Sequence, residues 1–172
     1  IEQLSSLRAI PNVMDLRPGD GPETEVAWRA AFERTDGPSF LALSRQKVSV
    51  LARAGSAAAD DDSVSERLAA ADGLRRGAYV IVEASQGTPS VILMSSGSEL
   101  SLALDARTEL EADGIPTRVV SMPSWHLFGQ QDATYRDEVL PPSVKARVSV
   151  EAGSTFGWDR WVGDRKSTRL NS

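Results

Sequence analysis

The sequence has no cysteine and a single histidine among its 172 residues. The first absence excludes disulfides, thiolate metal sites and a cysteine nucleophile, and is compatible with a cytosolic protein. The second excludes a multi-histidine metal site. No apolar run reaches the roughly 20 residues needed to cross a bilayer. A basic stripe is missing as well: 19 Lys and Arg stand against 24 Asp and Glu, a formal net charge of −5. Nucleic acid and anionic membranes are therefore poor candidate partners. The opening residues, IEQLSSLRAIPN, have neither a signal-peptide nor a transit-peptide pattern, and no initiator Met precedes them. The chain reads as a piece of something longer. No P-loop, full GxGxxG or GxSxG elbow is present.

What is present is a core-forming composition, 41% hydrophobic, long enough for one large domain or two small ones. Two stretches alternate strand and helix. In the first, Glu2–Ile10 is a short helix stopped at Pro11, and Val13–Arg17 is a strand. Asp20 and Glu23, three apart around Pro22, start a helix that runs to about Arg34. Ala27, Trp28, Ala31 and Phe32 supply its apolar face. Phe40–Ser44 is the next strand. This is the rhythm of a parallel α/β sheet. The Ala-, Ser- and Asp-rich region 51–77 reads as a linker, with a short helix at Val64–Ala71. A second α/β layer follows. Its strands are Ala78–Ala84, Val91–Ser95, Arg118–Met122 and Ala146–Glu151. Its helices are Glu99–Ala112, whose apolar pattern Arg107 interrupts, and Asp132–Val139. Gly114 suits a helix C-cap.

Few residues carry chemistry on their own. Arg45 stands at a strand end, where open α/β sheets bind ligands, and its planar fork suits phosphate or carboxylate. By position alone a surface ion pair is the commoner role; Gln46 beside it adds little specificity. Ser95–Ser98 joins a strand to a helix. That pattern suits an ordinary serine N-cap better than an anion site. His126 has no identifiable catalytic partner and reads as a surface or packing residue. Asp60, Asp61 and Asp62 lack the spacing of a calcium loop and read as a solvated segment. Near the end, VEAGSTFGWDRWVG (150–163) is a strand-to-helix turn with an aromatic anchor. Ser154 or Thr155 could cap its helix. Phe156, Trp158 and Trp161 suit core or subunit-interface packing better than ligand stacking.

Several segments, in order, resemble the transketolase family: EQLSSLRAIPN, RPGDGPETEVAWRAAFE, LALSRQ, SGSELSLAL, RVVSMPSWHLF, VLPP and VEAGSTFGWDRWVG. The resemblance covers about Ile1–Gly163. It implies the end of a pyrimidine-binding domain over 1–50, a linker over 51–77 and a truncated C-terminal α/β domain over 78–163. Residues 164–172, DRKSTRLNS, depart from the family and read as a non-native tail.

The resemblance also implies an activity. Family members are homodimers that use thiamine diphosphate and Mg²⁺ to move a two-carbon ketol unit from a ketose phosphate to an aldose phosphate. They serve the pentose phosphate pathway and the Calvin cycle, in cytoplasm or plastid. Arg45 falls on the SRQ motif, whose Arg is similar to the family's substrate-phosphate ligand. Lys47 replaces the usual Asn and adds a cation nearby. The cofactor-activating Glu, the metal ligands and the active-site histidines fall before Ile1 in the family. Catalytic, cofactor-binding and metal-binding residues are thus expected outside this chain, which alone should be inactive. The alternatives are a related thiamine-dependent enzyme, such as dihydroxyacetone synthase or deoxyxylulose-phosphate synthase, and a non-catalytic α/β module.

Overall fold

The computed structural model of the chain describes residues 2–53 and 68–163. Helix α1 (Gln3–Arg8) leads to strand β1 (Met14–Leu16), helix α2 (Gly21–Glu33) and strand β2 (Ser39–Leu41). The two strands pair in parallel, with Leu16 opposite Leu41. Helix α2 starts where the sequence signals: the Asp20 carboxylate accepts the Glu23 N–H at 3.0 Å. The reciprocal arm differs from a standard capping box. Glu23 accepts the N–H of Gly19, at 2.7 Å, rather than that of the cap residue.

The apolar face expected for α2 is only partly the buried one. Glu23, Val26 and Ala27 are buried, and Ala30 packs beside them. Those positions form an i, i+3, i+4, i+7 stripe. Trp28 and Phe32 lie on a separate i, i+4 row. They remain 43% and 77% exposed, with their rings stacked at 5.5 Å.

The second sheet has four strands: β3 (Tyr79–Val82), β4 (Val91–Ser95), β5 (Thr117–Ser121) and β6 (Ala146–Val150). Their spatial order is β3-β5-β4-β6, with β3 antiparallel and the rest parallel. Helix α3 (Leu100–Ala112) links β4 to β5. Helices α4 (Trp125–Gly129) and α5 (Ala133–Val139) link β5 to β6, and α6 (Asp159–Val162) follows. Strand β4 is apolar from Val91 to Met94 because both of its faces are covered. Leu93 joins Leu100, Val119, Met14, Leu16 and Val26 in one core. Ile92 and Met94 join Val120, Phe128, Trp158 and Trp161 in the other. The first core thus combines residues from both sheets. No helix among the described residues is long and apolar enough to cross a membrane.

Three local outcomes differ from the sequence expectation. Arg107 does not break α3's packing; it is buried and donates to the carbonyls of Glu83 (2.6 Å) and Thr117 (3.0 Å). Helix α4 was not anticipated, although Ser124 caps it by accepting the Leu127 N–H. The flanks of the expected linker are packed: Arg53 is 1% exposed, and a 3-10 turn at Ala71–Arg76 buries Leu74. Asp60–Asp62, residues 164–172 and the first half of the expected Val64–Ala71 helix lie outside the described residues; Ala71 itself opens the 3-10 turn.

Candidate functional site at the strand carboxyl ends

Strand β4 sends its chain toward β5, whereas β6, on its other side, leads away to α6. Neighbouring strands that diverge in this way open a crevice at their carboxyl ends, where α/β sheets hold ligands. Here that crevice lies between Ser95–Gly97 and Glu151, and side chains from the chain's first segment occupy it.

Arg17, just past β1, donates to the Ser96 carbonyl at 2.6 Å and pairs with Glu99 at 2.6 Å. Arg8 of α1 holds both oxygens of Glu151, at 2.8 and 2.9 Å, and reaches Asp15 at 2.9 Å. Its guanidinium also lies 3.9 Å from the centre of the Trp125 ring. Glu151 further accepts from the Ser96 hydroxyl and, at 2.9 Å, from the Trp158 indole N–H. Asp15 accepts the N–H groups of Trp125 (3.1 Å) and His126 (2.9 Å) at the start of α4. Burial alone would push the Glu151 carboxyl up. The hydrogen bonds and charge of Arg8, then Ser96 and Arg17, outweigh it and hold the group below the ordinary glutamate range.

A second buried polar group joins the two sheets. Tyr79 donates to Glu23 at 2.6 Å and accepts from Arg53 at 2.7 Å. Ser121 also donates to Glu23, and Arg53 pairs with Asp20 at 2.9 Å. Burial and the Glu23 carboxylate push the Tyr79 hydroxyl well above its ordinary range.

Arg45 stands apart from both networks. It occupies an exposed bend four residues beyond β2. Among the described residues it is the one arginine that makes no hydrogen bond, ion pair or ring contact. An unengaged guanidinium past the end of a parallel strand can offer its whole fork to an anion.

The other sequence candidates have structural places. Ser96 precedes the 3-10 turn Gly97–Glu99 without capping it; its hydroxyl goes to Glu151 instead. Nor does Ser154 cap α6: it accepts the Phe156 N–H within the preceding turn. Trp158 and Trp161 are buried, whereas Phe156 is exposed and borders a cleft of about 290 Å³ with Arg8, Trp125 and Arg160. His126 is partly buried near Arg34 and Asp36 and lies 3.0 Å from Gln130. The Arg8–Asp15–Glu151 and Tyr79–Arg53–Glu23 contacts escaped sequence reasoning. The only local signal was an acid at the end of β6.

Together, a parallel strand pair and an open, mostly parallel four-stranded sheet, joined through buried ion pairs near strand carboxyl ends, define an α/β protein. Residues 77–169 match the family described as the transketolase-like C-terminal domain, and residues 1–50 match the transketolase pyrimidine-binding domain. The chain belongs to the transketolase family.

It is 45% identical over 163 residues to a transketolase of Geobacillus stearothermophilus, covering 95% of this chain and 23% of that protein. It is 48% identical over 165 residues to transketolase 10 of Craterostigma plantagineum, covering 95% of this chain and 22% of that one. Solved structures agree. Transketolase from Leishmania mexicana superposes with a TM-score of 0.80 at 37% identity, over 98% of this chain and 22% of that chain. A Pichia stipitis transketolase in complex with sedoheptulose-7-phosphate gives 0.81 at 35% identity, over 100% and 22%. The chain thus spans less than a quarter of the length of these relatives. Their shared name does not favour the alternatives of dihydroxyacetone synthase, deoxyxylulose-phosphate synthase or a non-catalytic module.

Proposed function

We propose that the chain forms part of a transketolase, a homodimer that moves a two-carbon ketol unit from a ketose phosphate to an aldose phosphate. In this reading Arg45 binds the substrate phosphate. The observation that carries it is the unengaged Arg45 guanidinium beyond β2, in a chain whose other described arginines all have partners. Its place in the SRQ motif supports the same role. The buried contacts of Arg8, Arg17 and Glu151 hold β1 against the second sheet. The β1–β2 pairing then fixes the strand from which the Arg45 loop departs.

Thiamine diphosphate with Mg²⁺ would supply the electron sink for breaking and making the carbon–carbon bond. The described residues do not fit either group. No three His, Cys, Asp or Glu side chains among them cluster to hold a metal. The buried carboxylates of Glu23, Glu99 and Glu151 are already engaged by Tyr79, Ser121, Arg17, Arg8 and Trp158. No step through the cofactor is assigned to this chain.

The test is Arg45→Ala in the complete polypeptide that carries this segment. Losing a hydrogen-bonded charge contact should raise KM for sugar phosphates about 10- to 100-fold, with a smaller change in kcat. An unchanged KM for every phosphorylated substrate would overturn the role of Arg45.

A further inference from the structure

We infer that Lys47 is a specificity-determining residue. Together with Arg45 it forms a two-cation loop that selects phosphate monoesters, which carry close to two negative charges at neutral pH, over singly charged or neutral sugars. This rests on the reading of Arg45 given above and adds a second contact to it.

The loop is electrostatically unusual for this chain. The protein carries 24 acids in 172 residues, yet residues 37–59 contain neither Asp nor Glu. Elsewhere cations are paired: Arg29 with Glu25, Arg75 with Glu33, Arg118 with Glu83, and the buried arginines as described. Among the described residues only Arg45, Lys47 and Lys145 have no partner. Lys145 lies before the amino end of β6, not past a strand carboxyl end. Its neighbour Arg147 is held by the carbonyls of Leu140, Pro141, Val144 and Trp161. Arg45 and Lys47 are thus the two unengaged cations near a strand carboxyl end, and residues 43–50 around them are all exposed.

Reach permits joint action. Two residues of chain span at most about 7 Å, so a guanidinium and an ammonium two positions apart can close on one phosphate. The two groups differ in what they read. The Arg fork matches oxygen pairs on a carboxylate or a phosphate, whereas Lys contributes a compact charge. A phosphate monoester carries about −1.5 to −2 near pH 7 and has three terminal oxygens, enough for both. A carboxylate satisfies Arg45 and leaves Lys47 with little to bind.

The experiment uses the complete polypeptide. Wild type, Lys47→Met, Lys47→Arg and Arg45→Ala are assayed with an aldose phosphate acceptor and with the unphosphorylated aldose of the same length. Lys47→Met should raise KM for the phosphorylated acceptor about three- to tenfold, the range of one charge-assisted contact at an exposed site. KM for the neutral aldose, kcat and Tm should stay unchanged, and Lys47→Arg should recover most of the loss. If Lys47→Met leaves KM unchanged while Arg45→Ala raises it, the inference about Lys47 falls and Arg45 keeps its role. If neither variant changes KM, the phosphate reading of the loop falls as a whole. An equal rise for the neutral aldose would show that the substitution disturbs the loop generally, and would also overturn the inference.

Discussion

Arg8 and Glu151 lie 143 positions apart in the sequence and meet through two hydrogen bonds, one to each carboxylate oxygen. Their pairing ties α1 to the end of β6, the first helix and the last strand among the described residues. The same carboxylate also receives the Ser96 hydroxyl and the Trp158 indole. One acidic side chain therefore joins α1, the β4 end and the aromatic turn before α6.

Glu151→Gln should cost about 3–5 kcal/mol, the usual penalty for removing one member of a buried ion pair. The pH dependence has a definite sign. Because the folded carboxyl titrates below its ordinary value, its contribution is fully present above about pH 4.3 and is lost as pH falls through the lower folded value. Urea unfolding of wild type between pH 6 and pH 3 should therefore show an acid-dependent loss that the Gln variant lacks in part. Parallel curves for the two proteins would contradict this.

Tyr79→Phe removes the hydroxyl between Arg53 and Glu23. It leaves two buried charged groups short of a partner while conserving the ring. A loss of about 1–3 kcal/mol is expected, read as a drop in the urea midpoint at unchanged m-value.

Gly77 follows the 3-10 turn with φ of +85°, and a Cβ there would lie 2.1 Å from the Phe128 backbone nitrogen. Gly77→Ala should cost more than about 3 kcal/mol, since backbone strain adds to a clash that no side-chain rotation relieves. Gly87 is the control: its φ is also positive, at +62°, but open space surrounds it. Gly87→Ala should cost only roughly 1–2 kcal/mol. Equal losses in the two variants would rule out crowding as the cause at Gly77.

His126 is the sole histidine, so its ring protons give one assignable pair of NMR resonances. Burial first, then the charge of Arg34, lowers its pKa, against the opposing pull of Asp15 and Asp36. Its titration midpoint should fall below 6.5, and Arg34→Gln should raise it. Since the folded state disfavours the proton, this group's contribution is present above about pH 6.5 and declines as pH falls below that. A midpoint above 6.5 would contradict the assignment.

Much of the element order was legible because local rules carried it. Asp20 and Glu23 announced the start of α2, and the VILMS run announced a strand; that both of its faces are covered is what the structure adds. The α2 face was misread because Trp28 and Phe32 are apolar but lie one row away from the stripe that Glu23, Val26 and Ala27 turn inward. Burying an acid in preference to two aromatics makes sense only once Tyr79, Ser121 and Arg53 arrive from elsewhere to satisfy it. Arg8 and Asp15 were silent for the same reason, and Glu151 signalled only as an acid at a strand end: each is an ordinary charged residue until the fold brings them together. Arg45 was the opposite case. Its strand-end position alone favoured a surface ion pair, the SRQ resemblance pointed to a phosphate, and its lack of any internal partner is what the structure adds.

The exposed stack of Trp28 on Phe32 has an optical consequence. The chain contains four tryptophans. Trp158 and Trp161 are buried, and Trp125 packs edge-on against Trp158 at 4.9 Å. Trp28, 43% exposed, should contribute most to the long-wavelength emission and be the tryptophan most open to a soluble quencher such as acrylamide. The protein therefore carries its own two-channel fluorescence probe. Loss of tertiary structure registers in the buried pair Trp158 and Trp161, whereas covering the outer surface of α2 registers in Trp28, with no label attached.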